Sequence, residues 1–294
     1  MDIRNDGYTG RFAPTPSGPL HFGSIVAALA SYLDARHNDG KWLLRIEDID
    51  TPRVRAGADR QIIDTLEILG LEWDGDIVYQ SERLGHYEQA LAMLADNDLL
   101  YRCRCPRRVT KGKPYPGTCR TRADIDAKPY ALRVKTSDRS IIFEDVIQGR
   151  LTGRLNELTG DFILRRSDGL IAYNLAVVVD DAGQNITHVV RGADLVDTTF
   201  NQIYLQSVLN LPVPVYAHHP LAVDDSGKKI SKQDRATDVL AGVSPEAVLL
   251  RALHFLEQAP EQNLMRAGKR DILAWAVTHW NIDAVHSSPT GKRA

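Results

Sequence analysis

Arg11-Phe12-Ala13-Pro14-Thr15-Pro16-Ser17-Gly18-Pro19-Leu20-His21-Phe22-Gly23-Ser24 is the stretch on which the fold turns. Before it, Tyr8 to Ala13 reads as a short strand; after it, Ser24 to Asp34 is rich in Ala and Leu at helical spacing. A Pro/Gly turn therefore joins a strand end to a helix start. Gly18 and Gly23 permit close backbone approach, and the unpaired N–H groups of a helix start favour an anion. His21 offers an imidazole N–H to a phosphate oxygen at that point. The competing reading is a plain turn carrying a surface histidine.

Outward from this turn, strand and helix signals keep alternating. Trp42 to Ile46 reads as a buried strand, Ala58 to Leu69 as a helix stopped by Gly70, and Ser81 as the cap of a helix running to Ala95. Strand–helix–strand order predicts an α/β fold with a doubly wound parallel sheet, its ligands lying at the carboxyl ends of the strands. Residues 101–165 break the rhythm with β-like runs at Tyr130 to Val134, Ile141 to Ile147 and Asp161 to Arg166. The α/β pattern resumes with Ile171 to Val179, a strand near Thr187 to Arg191 and a helix from Asp197 to Leu209. Pro245 to Leu256 and Lys269 to Trp280 read as helices, and the chain from Val285 as a polar, mobile tail. The expected division is thus 1–100 and 166–240 as two halves of a nucleotide-binding domain, 101–165 as an insertion, and 241–294 as a helical region with its tail.

The 294 residues, 43% hydrophobic and with a net charge of −2, have the composition of a soluble globular protein. No apolar run approaches the ~18 residues that a bilayer span needs. With no signal-peptide pattern at the start, the expected compartment is the cytoplasm, away from membranes.

The bulk charge does not advertise a nucleic-acid partner, but segment 102–122 holds eight Lys or Arg residues and no acid. All three cysteines, Cys103, Cys105 and Cys119, fall inside it. An odd, clustered set argues against disulfides and for a metal. A structural zinc takes four ligands, and with no nearby histidine the fourth is Tyr115 or water. The alternative is three ordinary reduced thiols.

A second basic segment, Gly227-Lys228-Lys229-Ile230-Ser231-Lys232-Gln233, is either a solvated loop or a phosphate clamp. In the second reading, its lysines stabilise the negative charge that builds on phosphate oxygens when an α-phosphate is attacked.

Five segments together resemble the class I glutamyl- and glutaminyl-tRNA synthetases. They are Arg11 to Gly18, His21-Phe22-Gly23-Ser24, Arg45-Ile46-Glu47-Asp48-Ile49-Asp50-Thr51, Arg191-Gly192-Ala193-Asp194-Leu195 and Lys229 to Gln233. The similarity spans residues 8–240. It implies catalytic roles for His21, Lys229 and Lys232, and contact of ATP, with Mg2+, by His21, Gly23, Ser24, Lys229, Ser231 and Lys232. It further implies that Arg11, Phe12, Ala13, Pro14, Thr15, Glu47, Tyr173 and Arg191 hold the amino acid. Glu47 suits an α-ammonium group, and two arginines favour glutamate over glutamine. For Arg11 and Arg191 the competing reading is ion pairing with local acids such as Asp48 or Asp194.

The sequence departs from the family pattern at Ser24, where a second histidine is usual, and at Gln233. The Cys-x-Cys and Tyr-x-x-x-Cys pairing resembles the Zn2+ site of the glutamyl-Q tRNA(Asp) synthetases. Residues 234–294 leave no room for the anticodon-binding region of a full glutamyl-tRNA synthetase. The resemblance therefore implies a monomeric ligase that activates L-glutamate and transfers it to queuosine in the anticodon stem-loop of tRNA(Asp). The other readings are a truncated glutamyl-tRNA synthetase charging a tRNA 3′ end and a non-catalytic zinc-containing RNA-binding protein.

Overall fold

The computed structural model describes residues 7–106, 108, 112–122, 124–125, 127, 129–223, 240, 242–287 and 292–293. The strand before the Pro/Gly turn is β1 (Thr9–Phe12), and the helix after it is α1 (Phe22–His37). Then come β2 (Lys41–Ile46), α2 (Ala58–Leu69), β3 (Val78–Tyr79) and α3 (Leu84–Asp96). β1 lies parallel to β2 from Thr9↔Lys41 to Phe12↔Leu44, and β2 is parallel to β3. This is the expected alternation.

From within 101–165, β4 (Leu100–Cys103) and β5 (Ala131–Val134) pair with β8 (Ile163–Arg165) in a three-stranded antiparallel sheet. β6 (Ser140–Asp145) and β7 (Gly149–Arg154) form a hairpin, followed by a single helical turn, α4 (Leu155–Leu158). The chain then runs through α5 (Tyr173–Gly183), β9 (His188–Gly192), α6 (Val196–Val208) and β10 (Val215–His219). β10 is parallel to both β9 and β6, so that sheet is ordered β7-β6-β10-β9.

Thr187 joins the two parallel sheets. Its N–H donates to Thr9 O at 2.9 Å, and its hydroxyl accepts from Thr9 N at 2.9 Å. β9 is thereby seated beside β1, and the strand order reverses between them. In a doubly wound sheet that reversal opens a crevice at the carboxyl ends of the strands.

Two hydrophobic cores flank the sheet. One gathers α1, β1 and β2 with α2, α7 (Pro245–Phe255) and α8 (Lys269–His279), around the fully buried Leu29, Leu33 and Trp42. The Trp42 indole N–H donates to Ser31 Oγ at 3.0 Å, which satisfies its one polar atom. The other core packs α3, α5 and α6 against the antiparallel strands. A short pair, β11 (Ala222–Val223) with β12 (Lys292–Arg293), completes the described elements. Among the described residues no helix is long and apolar enough to cross a membrane.

Three local expectations differ from what forms. α1 starts at Phe22 rather than Ser24, because the His21 ring takes the cap and its Nδ1 accepts the Ser24 N–H at 3.2 Å. Ser81 caps no helix: it lies in a 3-10 turn, and its N–H and hydroxyl both donate to Asp48, at 2.8 and 2.6 Å. Val285 is a core residue, 4% exposed, rather than the start of a free tail, and residues 288–291 and 294 lie outside the described set.

Candidate active site

The crevice between β1 and β9 holds a cavity of about 240 Å³. It brings together Arg11, Phe12, Ala13, Pro14 and Thr15 from the end of β1, His21, Gly23 and Ser24 from the start of α1, Glu47 after β2, Tyr173 at the start of α5 and Arg191 on β9. Residues separated widely in sequence thus share one wall-lined space. The lysine segment 228–233, with Lys229, Ser231 and Lys232, lies outside the described residues.

Local chemistry shapes the end of the cavity at the Pro/Gly turn. Glu47 N–H donates to Pro14 O at 3.0 Å and Arg55 N–H to Pro16 O at 2.9 Å, pinning the Pro/Gly turn against the segment after β2. Gly18 has φ +142, a conformation that side chains disfavour. A Cβ on Gly23 would meet the His21 ring at 3.3 Å. The Ser24 hydroxyl lies 3.2 Å from His21 Nε2, so Ser24 steadies the imidazole from the place where the family usually has a second histidine.

At the other end, Arg191 is 5% exposed and makes four hydrogen bonds to neutral groups. Its Nε donates to His218 Nε2 at 3.0 Å, one terminal nitrogen to Thr199 Oγ1 at 2.8 Å and Gln202 Oε1 at 2.7 Å, and the other to Tyr173 Oη at 3.4 Å. Among the described residues no carboxylate pairs with it; the expected alternative partner, Asp194, does not. A buried cation with neutral partners is a place prepared for an anion. Arg11 differs. Its Nε donates to Asp181 at 3.3 Å, so Asp181, not Asp48, is its ion-pair partner.

Glu47 is 6% exposed, and its Oε1 has no hydrogen-bond partner among the described residues. Burial pushes its carboxyl up to about 7, against the opposing pull of Arg45 and Arg11. Behind it lies Arg45, fully buried on β2, which donates to Asp181 Oδ1 and Gln184 Oε1 at 2.6 Å each and stands 3.8 Å from Glu47. Burial alone would raise the Asp181 carboxyl, but Arg11 and Arg45 hold it below the usual range. Asp180 accepts from Arg83, Gln80 and the Tyr87 hydroxyl at 2.6 to 2.8 Å. Composition and motif spacing missed these supports. Their one sequence signal was the Asp180-Asp181 pair inside an apolar helical run.

A second, larger cavity of about 910 Å³ lies beside the cysteines. Cys103, Arg104, Cys105, Lys113, Arg133 and Arg166 line it, and it reaches Ala172, next to the Tyr173 that lines the first cavity. Volume does not decide between them: the convergent buried charges are in the smaller one. The three sulfurs lie within 4.8 Å of one another, and Tyr115 Oη is 3.3 Å from both Cys103 Sγ and Cys105 Sγ. Four zinc ligands at bond lengths near 2.3 Å would set sulfurs about 3.8 Å apart, so the donor set fits that ion. Tyr115 N–H donates to Thr159 O at 2.9 Å, and a Cβ on Gly160 would fall 2.1 Å from Tyr115 O. Glycine is thus what allows Tyr115 to sit there.

Replacing Arg45 by Met should lower stability by about 3–5 kcal/mol, the cost of leaving buried carboxylates without their countercharge. Urea denaturation reads this directly, and a loss below about 1 kcal/mol would show that the network does not hold the fold together.

The model of the family "tRNA synthetases class I (E and Q), catalytic domain" matches residues 8–113 and 118–255. A glutamyl-Q tRNA(Asp) synthetase of Dechloromonas aromatica is 48% identical over 291 residues, covering 96% of each chain. One from Thiobacillus denitrificans is 49% identical over 288 residues, covering 95% of each. Among solved structures, glutamate-tRNA synthetase from Elizabethkingia anophelis superposes with a TM-score of 0.81 at 26% identity, over 98% of this chain and 68% of that one. The family model covers most of the chain, and the relatives match it near full length on both sides: this chain belongs to the class I tRNA synthetases of the glutamyl and glutaminyl type, and among them to the glutamyl-Q tRNA(Asp) synthetases.

Proposed function

We propose that the protein activates L-glutamate with ATP and transfers it to queuosine in the anticodon of tRNA(Asp). The observation that carries the glutamate assignment is Arg191, a buried cation surrounded by neutral hydrogen-bond partners. A substrate carboxylate completes it, whereas the amide of glutamine would leave its charge unmatched. Glu47 takes the α-ammonium group, and Arg11, braced by Asp181, adds positive charge to the same cavity.

Activation joins an α-carboxylate oxygen to the α-phosphorus of ATP and releases pyrophosphate. Transfer then joins a queuosine hydroxyl oxygen to the acyl carbon as the acyl–phosphate bond breaks, with AMP as the leaving group and the hydroxyl proton released. Neither step needs a protein nucleophile, so the residues act by positioning and charge stabilisation. His21 and the start of α1 face the phosphates. Lys229 and Lys232 are assigned the developing phosphate charge, and Mg2+ adds charge neutralisation when it accompanies ATP.

The larger cavity, with Arg104, Lys113, Arg133 and Arg166 on its walls and Ala172 at its inner end, suits the approach of an anticodon stem-loop. In this reading 101–165 is the RNA-contact subdomain, pinned by zinc on Cys103, Cys105, Tyr115 and Cys119. Residues 1–100 and 166–240 form the catalytic halves, and 241–294 support them. The protein works as a monomer in the cytoplasm, where ATP, glutamate and tRNA meet.

Labelled glutamate and ATP, given with tRNA(Asp) lacking its 3′-terminal adenosine or lacking queuosine, separate the acceptors. Transfer to the first alone is expected; transfer to the second alone refutes the queuosine assignment.

The Glu47 carboxyl near 7 has a consequence for pH. Below that value a proton cancels the charge that holds the ammonium group. In ATP–pyrophosphate exchange, KM for glutamate should be flat above pH ~7 and climb by up to about tenfold per unit below it. Glu47→Gln should abolish that slope, and a parent profile flat to pH ~6 would remove Glu47 from ammonium binding.

Metal analysis of the purified protein should give about one zinc per chain, with Tyr115→Phe losing it faster to a chelator. Protein that carries no zinc would overturn the assignment.

A further inference from the structure

Arg191 does not stand on its own side chain. A guanidinium has five N–H donors, and four are engaged within the protein, by His218, Thr199, Gln202 and Tyr173. Among the described residues this leaves one donor, on the nitrogen beside Tyr173, for a ligand. The direction of that donor is therefore set by the groups gripping the other three sides.

Of these, His218 is the one whose grip depends on a proton. It is fully buried on β10, and its Nε2 accepts from Arg191 Nε. It can accept only as the neutral tautomer protonated at Nδ1. Asp145, at the end of β6, enforces that tautomer: its Oδ2 lies 2.5 Å from His218 Nδ1. Asp145 is itself immobilised, accepting the N–H groups of Ile147, Gln148 and His218 on Oδ1 at 2.9 to 3.1 Å. Thr199 Oγ1, 3.1 Å from His218 Nε2, gives its own proton to Leu195 O and so leaves the imidazole lone pair to Arg191.

The charged and titratable groups facing the ring are Asp145 from β6, Arg191 from β9 and Arg11 from β1, with Tyr216 stacked on it from its own strand. Burial, with Arg191 and Arg11 adding to it, outweighs Asp145 and keeps the imidazole below its ordinary range, hence neutral at physiological pH.

We propose that Asp145 and His218 are positioning residues that aim Arg191 at the substrate carboxylate by holding the imidazole in its Nδ1–H form. The inference rests on the reading that Arg191 binds that carboxylate. It deepens that reading by assigning glutamate affinity to two residues that line neither the turn nor the cavity walls.

Asp145→Asn is the direct test. The amide oxygen keeps the three backbone N–H bonds, and the amide nitrogen donates to Nδ1. The imidazole proton is then forced onto Nε2, where it confronts the Arg191 N–H. In ATP–pyrophosphate exchange, KM for glutamate should rise about 10- to 100-fold, with KM for ATP and kcat within about threefold of the parent. An equal rise in both KM values, or no rise in that for glutamate, overturns the proposal.

Nitrogen-15 NMR of the histidine-labelled parent protein reads the tautomer directly, a variant serving only to assign the signal. The resonance assigned to His218, by its loss in His218→Gln, should report a neutral Nδ1–H ring at neutral pH. An Nε2–H ring or an imidazolium there refutes the relay.

Arg191→Ala, assayed in parallel, separates the two ideas. If that variant keeps its glutamate KM, the carboxylate reading and the relay both fall. If it loses affinity while Asp145→Asn does not, the relay alone falls.

Discussion

Arg45 is the constraint on which the rest depends. Its guanidinium, with no exposure to solvent, sits on β2 among Asp181, Asp180 and Glu47, and it reaches Gln184 at the far end of α5. A buried cation of this kind is held only while its countercharges are held. It therefore ties the first half of the sheet to the helix of the second half. The same contacts orient Asp181, which braces Arg11, and set the surroundings in which Glu47 keeps a carboxyl near 7. Fold and site share one electrostatic network.

The two arginines that line the cavity are consequently held in different ways. Arg11 is partly neutralised by Asp181, while Arg191 is held by a ring, a hydroxyl and an amide and keeps its charge. One adds a partly neutralised charge to the cavity; in the proposed reading the other completes an ion pair with the substrate carboxylate. Low local dielectric makes both effects larger than they would be in water. His218 and Asp145 lie in strands β10 and β6, so the stretch 101–165 reaches into the sheet that carries Arg191.

Much of the fold was legible because it is written locally. Gly70 adopts φ +78 at the end of α2, and the apolar spacing from Ala58 to Leu69 marks the whole helix. β10 carries no clear sequence signature, because Val215–His219 sits between prolines and ends in two histidines. By sequence His21 is a phosphate donor or a surface histidine of a plain turn; in the fold its ring also caps α1. A side chain's capping role depends on rotamer and backbone angle, and neither is visible in composition or spacing.

The sequence by itself determined the parts that contiguous residues can specify: the strand–turn–helix beside the cavity, the family motifs, the cysteine cluster and the acidic and basic residues of the candidate site. Tertiary structure alone decided what those groups touch. Arg11 meets Asp181 across 170 positions, and His218 meets Asp145 across 73. Such pairs follow from strand order and helix packing, which local periodicity does not encode. Buried ionisable groups gain or lose protons according to those distant neighbours, so the charge state of the site emerges only when the chain is folded.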